Sequence, residues 1–180
     1  MKKQLAIILT LAAVAVSANA QGFFNFANGA SGVNAPVKET DGTTLLSGGG
    51  AYKADYYYGA AGIVDPNALV SGGQAVSFSG NGIFLGGTQI INGQSGTVTL
   101  QVRAWRASDG VSWSAANGVV GAHVGQGNLI QVALGTGAAT VPNMVGLQGF
   151  NLTVVPGPEP ATIALGLMGA SALFIRRRKV

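Results

Sequence analysis

The C-terminal stretch, residues 155–180, constrains this chain more than any other part of it. A proline-glutamate-proline triplet (Pro158, Glu159, Pro160) precedes a charge-free apolar run, residues 161–175. Prolines fix φ and lack an N–H donor, so the triplet predicts an extended segment that separates the run from the upstream chain. An apolar run satisfies its backbone in lipid only as a helix, which predicts a transmembrane helix. Four basic residues follow it and place the C-terminus in the cytoplasm: Arg176, Arg177, Arg178 and Lys179.

The order of these features resembles the PEP-CTERM sorting signal of bacterial surface proteins, a tail that is also labelled an ice-binding protein C-terminal domain. The resemblance covers residues 156–180 only and implies nothing about ice for the rest of the chain. It implies an exosortase, an integral membrane cysteine transpeptidase-like protease, which recognises Pro158-Glu159-Pro160 and cuts near it. The resemblance also implies an inner-membrane intermediate, followed by release or transfer to the cell surface, often alongside exopolysaccharide.

A plain membrane anchor is the main alternative for this tail. The run of 15 residues spans about 23 Å as a helix, against a hydrocarbon core of about 30 Å. It is therefore short for a permanent span, even if the arginines snorkel at its end. A stop-transfer anchor and a buried core helix are the other interpretations.

The N-terminal 20 residues have the pattern of a signal peptide. Lys2 and Lys3 form a charged start, and residues 5–16 form an apolar segment. Small residues then give an A-x-A cleavage site that ends at Ala20, so the mature chain is predicted to begin at Gln21. Export through the Sec machinery follows from this interpretation; an uncleaved anchor is the alternative.

The charge of the central segment differs from that of the whole chain. The formal net charge is +4, but residues 21–160 carry four basic and six acidic side chains, so the exported part has a net charge of −2. This excludes the basic surface that nucleic-acid binding requires. The chain has no cysteine, which excludes disulfides, thiolate nucleophiles and thiolate metal sites.

Residues 21–155 are predicted to form an all-β, antiparallel domain. Residues 97–106 alternate apolar and polar side chains over ten positions, which indicates a half-buried strand. Glycine-rich turn signals recur along the segment and favour a two-sheet sandwich, jelly-roll-like or immunoglobulin-like, with a small barrel as the alternative. The other predicted strands cover residues 23–26, 33–37, 43–46, 51–58, 75–79, 83–85, 89–91, 119–124, 129–134 and 148–155, with residues 111–116 as a possible hairpin return.

Few residues in this domain suggest chemistry. His123 is the only histidine, and a triad with Asp109 and Ser112 or Ser114 lacks a G-x-S-x-G nucleophile elbow. One histidine and scattered carboxylates also give no metal-ligand cluster. We therefore predict a non-enzymatic protein without metal or cofactor; a secreted hydrolase that uses His123 is the least favoured alternative.

Aromatic side chains are the residues most open to a binding role. If Trp105 and Trp113 are exposed, they could stack on sugars, which makes an exopolysaccharide-binding module the second hypothesis. The competing interpretation is that a loop covers this aromatic face and the rings belong to the core.

Overall fold

The computed structural model describes residues 21–157, and they form a predominantly antiparallel β-structure. The all-β, antiparallel class predicted from the sequence is therefore confirmed. Within residues 21–157 there is one short helix, α1 (Trp113–Asn117), and there are two 3-10 turns (Pro66–Ala68 and Ala107–Asp109). The strands are β1 (Gln21–Ala27), β2 (Gly29–Ala30), β3 (Val33–Asn34), β4 (Tyr52–Ala60), β5 (Val70–Ser71), β6 (Val76–Gly80), β7 (Ile83–Asn92), β8 (Thr97–Arg106), β9 (His123–Gln126), β10 (Ile130–Ala133) and β11 (Thr153–Val154).

Nine of these strands form one sheet: seven follow the order β1-β7-β6-β4-β8-β9-β11, β10 pairs with β8, and β5 pairs with β4. Strands β2 and β3 form a separate two-stranded sheet. Strand β4 pairs with β8 along its whole length, from Tyr52 to Ala60. On the other side of β8, β10 pairs with the first half and β9 with the second. Phe23 of β1 also exchanges two backbone hydrogen bonds with Gly135, just after β10, so β1 directly contacts the segment that follows β10.

The main core lies between two halves of this folded sheet. The rings of Phe24 and Phe26 in β1 pack edge-on against Tyr56 in β4, with centroids 5.0 and 5.3 Å apart. Strands β1 and β4 are separated in the sheet by β7 and β6, so these contacts cross the interior. The packing is sandwich-like, with β1, β6 and β7 facing β4, β8 and β10.

Strand β8 is buried on both faces. Val98, Leu100, Val102 and Ala104 face the main core, as the alternation predicts. The alternation predicts that the opposite face is exposed, and this is wrong, because α1 and the segment after β4 form a second layer that covers it. The buried residues on that face are Thr99, Gln101, Arg103 and Trp105.

Several predicted strands differ in the structure. The hairpin return predicted at residues 111–116 is replaced by α1, because Ser112 Oγ accepts a hydrogen bond from the backbone N–H of Ala115 and caps the start of the helix. The strands predicted on either side of Gly86-Gly87 are one continuous strand, β7. A Cβ on Gly86 would lie 2.7 Å from the Phe26 ring, so this glycine gives Phe26 room within the sheet rather than ending it.

Other predicted boundaries shift without changing the class. Residues 43–46 contain only an isolated bridge at Leu45. The strand predicted at residues 119–124 begins at His123, and the strand predicted at 148–155 contains only the two residues of β11.

The predicted signal peptide, Pro158-Glu159-Pro160, the apolar run and the basic cluster lie outside the described residues. Across residues 21–157, none of the helices has the length and hydropathy needed to cross a membrane.

Candidate functional site

A buried arginine lies at the centre of the second layer. The guanidinium of Arg103 lies over the rings of Tyr57 and Trp113, with its central carbon 3.8 and 4.4 Å from the two centroids. Its Nε donates to Gln101 Oε1 at 2.9 Å, and its Nη2 donates to the carbonyl of Pro66 at 2.6 Å. A planar, delocalised cation suits stacking of this kind. Burial lowers the pKa of Arg103 below its ordinary value.

Asp55 lies opposite Arg103 in the register of β4 and β8. Its Oδ2 accepts a hydrogen bond from Ser71 Oγ at 2.6 Å, whereas Oδ1 has no hydrogen-bond partner among the described residues. Burial raises the pKa of Asp55 above its ordinary value. The two charges therefore organise the inside of the second layer, where neither of them is open to a ligand from solvent.

The two tryptophans belong to this buried layer. Trp105 is 1% exposed and Trp113 is 7% exposed. Trp105 Nε1 donates to the carbonyl of Gly110 at 2.8 Å, and the Trp113 ring packs edge-on against Tyr57. Their burial contradicts the hypothesis of exposed rings for glycan stacking and agrees with the competing interpretation that the rings belong to the core, because α1 and the segment after β4 cover this face of β8.

A second polar cluster surrounds His123 at the start of β9. The ring Nδ1 of His123 lies 3.0 Å from Glu39 Oε2, and Tyr52 Oη donates to the other oxygen of Glu39. Burial alone would raise the pKa of Glu39, but hydrogen bonds from Tyr52, Thr40 and His123 together lower it below its ordinary value. Burial and the negative charge of Glu39 raise the pKa of Tyr52 to about 12.

Asp109 joins this cluster through the backbone rather than through the imidazole. Its Oδ2 accepts from the main-chain N–H of His123 at 2.7 Å, and Arg106 Nε donates to Oδ1 at 2.9 Å. Burial opposes ionisation of Asp109, but these hydrogen bonds lower its pKa below the ordinary value. The cluster therefore links the segment at Glu39, the end of β8 and the start of β9.

The triad imagined from the sequence does not assemble in this conformation. Ser112 Oγ caps α1, and Ser114 Oγ lies 3.4 Å from the hydroxyl of Tyr57. The partner of the His123 ring is Glu39, which is 84 residues away and which no sequence motif indicates. Among residues 21–157, no three histidine or carboxylate side chains converge closely enough to hold a metal ion.

An open cavity of about 470 Å³ lies beside the beginning of β1. Gln21, Phe23, Ile90 and Gly137 line it. These four residues include no acid, base or nucleophile, so they supply no group for catalysis. No local sequence pattern indicates this cavity, because its walls come from three separate segments.

Both ends of the described domain lie at its surface. Gln21, the predicted start of the mature chain, is exposed and pairs with Asn92. Pro156 and Gly157 are exposed as the chain leaves β11, immediately before the predicted sorting triplet.

Comparison of the chain with models of known protein families, with curated protein sequences and with solved structures finds no significant match in any of the three.

Proposed function

We propose that this chain is an exported bacterial cell-surface or extracellular-matrix protein that an exosortase processes at Pro158-Glu159-Pro160. In this proposal the Sec machinery exports the chain, a signal peptidase cuts between Ala20 and Gln21, and residues 161–175 hold the intermediate in the inner membrane. The domain has no catalytic role and needs no cofactor. The observation that carries the proposal is the ordered tail of triplet, apolar run and basic cluster.

The geometry of the C-terminal end supports this proposal. A protease needs an extended and accessible segment, and a site inside a strand pair would first have to be pulled out of its sheet. Here β11 ends at Val154, and the backbone N–H of Val155 still donates to the carbonyl of Ala122. The triplet begins three residues after Val155, so cutting there removes no strand and no core residue from the domain.

Charge supports the proposed orientation. Arg176, Arg177, Arg178 and Lys179 would hold the end of the tail on the cytoplasmic side, while the two lysines at the N-terminus would do the same for the signal peptide. The domain between them would then reach the outer side of the membrane. Its lack of cysteine means that it folds there without disulfides.

The exported domain would be a sandwich-like β-module, jelly-roll-like or immunoglobulin-like. Its core is continuous from Phe24 to Leu152, so it can remain folded after the tail is removed. Its final position, in this proposal, is the cell surface or the extracellular matrix. A glycan-binding role through Trp105 and Trp113 is not proposed, because both rings are buried.

The direct test is processing of the chain in cells that contain an exosortase. The wild-type chain should convert from a longer species to a shorter one, and a Glu159→Ala variant should accumulate as the longer species. Pro156→Ala is the matched control, because Pro156 is an exposed proline that lies outside the triplet. Its processing should equal that of the wild type.

Deleting the exosortase gene should give the same accumulation as Glu159→Ala. Conversion of the Glu159→Ala variant at the wild-type rate would contradict the proposal. Conversion of the wild-type chain in cells without the exosortase would contradict it as well. Equal loss of processing in Glu159→Ala and Pro156→Ala would also count against it, since general exposure of the segment would then matter more than the triplet.

A further inference from the structure

The surface where the chain leaves the domain is apolar. Val119, Val120 and Val154 are 48%, 62% and 50% exposed. Gly157 lies against Val120, because a Cβ on this glycine would be 3.0 Å from Val120 Cγ1. We refer to Val119, Val120, Val154 and Gly157 as the exit patch.

Hydrogen bonds hold the exit patch together. The backbone N–H of Gly121 donates to the carbonyl of Val155 at 3.0 Å, so the turn that carries Val119 and Val120 is fixed beside β11. The backbone N–H of Val119 donates to the carbonyl of Ala116 at the end of α1, also at 3.0 Å. Val119 and Val120 therefore lie in a turn that backbone hydrogen bonds hold in place.

The chain around the exit patch carries no formal charge. From Gly110 to Gly157 the sequence has no aspartate, glutamate, lysine or arginine, and His123 is its only titratable side chain. Glu39 and Asp109 mark the limit of this neutral surface, since both bond to His123, the cross-strand neighbour of Val154. The valines themselves can therefore lose contact with water without desolvating a charged side chain of their own segment.

We propose that the exit patch rests on the lipid bilayer while the tail is still in the membrane. This inference depends on the proposed function, because it requires residues 161–175 to be inserted. Only Pro158, Glu159 and Pro160 separate Gly157 from the apolar run, and they span about 10 Å when extended. The tether therefore holds Gly157, and with it the exit patch, within about 10 Å of the membrane interface.

The bilayer is a better occupant than the tail itself or a second copy. If the run of 15 charge-free residues folded back onto three half-exposed valines, it would bury far less apolar area than it buries by entering lipid. Insertion in lipid is therefore more favourable for the run than contact with the exit patch. The same small area is well below what a stable dimer needs. As a weak contact beside a membrane anchor, however, it suffices to orient a domain that is already tethered.

The absence of cysteine makes a direct test possible. Val120→Cys, labelled with an environment-sensitive fluorophore, reports from the exit patch, and Val64→Cys is the matched control with its valine 85% exposed. Val64 lies near the other end of β8, since its neighbour Ile63 bonds to Thr99 whereas β9 pairs at Trp105. Six residues of strand separate these points by about 20 Å.

The chain with its tail is reconstituted in vesicles of phosphatidylethanolamine and phosphatidylglycerol. Flotation with the vesicles reports insertion, and quenching by a lipid-borne quencher reports contact of each label with the bilayer. We expect flotation of both variants and roughly threefold or greater quenching at position 120 relative to position 64. If Val120→Cys fails to fold, Val119→Cys takes its place.

Flotation with equal quenching at the two positions would overturn the exit-patch inference and leave the membrane tail intact. Failure to float would contradict the insertion step of the proposed function, and with it this inference. Quenching at position 120 that decreases as the protein-to-lipid ratio rises would identify a second copy of the chain as the occupant. This result would overturn the bilayer contact.

Discussion

At the scale of single residues, Arg103 is the side chain that organises the second layer. Its guanidinium contacts two aromatic rings, a glutamine and a main-chain carbonyl within a buried space. Breaking such a set by changing one member leaves the other groups buried without compensation. The stability of the layer should therefore depend on the shape of this cation as well as on its charge.

Arg103→Lys keeps the charge but loses the planar contacts and the fork of donors. We expect a loss of about 2–3 kcal/mol in the free energy of unfolding, measured by urea denaturation. Arg106→Lys is the matched control, because Arg106 is partly exposed and its one salt-bridge partner within residues 21–157 is Asp109. Its loss should be about 1 kcal/mol or less. Equal losses in the two variants would refute the importance assigned to stacking.

The lowered pKa of Glu39 predicts that the free energy of unfolding depends on pH. Its pKa in the folded state lies below the unfolded value of 4.5. The stabilisation from Glu39 is therefore fully present above pH 4.5 and is lost as the pH falls through the lowered folded value. Asp109 acts in the same direction, whereas the raised pKa of Asp55 acts in the opposite one.

The contribution of Glu39 is isolated by comparing the wild type with Glu39→Gln. At pH 7 the wild type should be more stable by about 1 kcal/mol, and the difference should shrink as the pH falls below 4.5 and through the lowered folded pKa. Tyr52→Phe, which removes one donor to Glu39, should reproduce part of the effect. A difference that is independent of pH would contradict the assignment.

At the scale of elements, the burial of β8 on both faces makes its tryptophan, Trp105, a core residue and not a surface binding residue. Trp105 lies in β8 between the sheet and the covering layer, and its indole N–H bonds to the carbonyl of Gly110. Trp105→Ala should cost about 3–5 kcal/mol by leaving a large cavity. Trp105→Phe keeps most of the volume and should cost about 1–2 kcal/mol.

Thermal or urea unfolding of these two variants provides the measurement. A Trp105→Ala protein with wild-type stability would show that the ring is not part of the core. A glycan-binding role for this side chain would then become open again.

The core-facing side of β8 could be predicted, because apolar residues occupy every second position of the strand. The burial of its other face could not, because polar residues such as Thr99 and Gln101 are typical of an exposed face. They are tolerated inside because Thr99 Oγ1 donates to the carbonyl of Ala60 and Gln101 Nε2 donates to the carbonyl of Gly127. Those partners are 39 and 26 residues away, and no local pattern indicates them.

The candidate sites show the same limit. His123 stands out in the sequence as the only histidine, but its partner Glu39 is joined to it only by the fold. The helix α1 could have been read from Ser112, which precedes a short alanine-containing segment as an N-cap does. The apolar residue Val111 favoured a strand instead, yet it is almost fully exposed.

At the scale of the whole molecule, a cysteine-free β-domain lies between two targeting segments that the sequence predicts. The domain closes its core between Phe24 and Leu152 and leaves both of its ends at the surface. Cleavage next to Gln21 and at the sorting triplet would thus remove the targeting segments without taking any residue from that core. The central claim is that both cuts are made in the cell.

The intact mass of the protein recovered from its native cells and their medium tests this claim most directly. We predict a chain that begins at Gln21, with its N-terminal glutamine either free or cyclised by loss of ammonia, and that ends near Pro158–Pro160. A chain that begins at Gln21 and still ends at Val180 would make the tail a permanent anchor and would contradict processing by an exosortase.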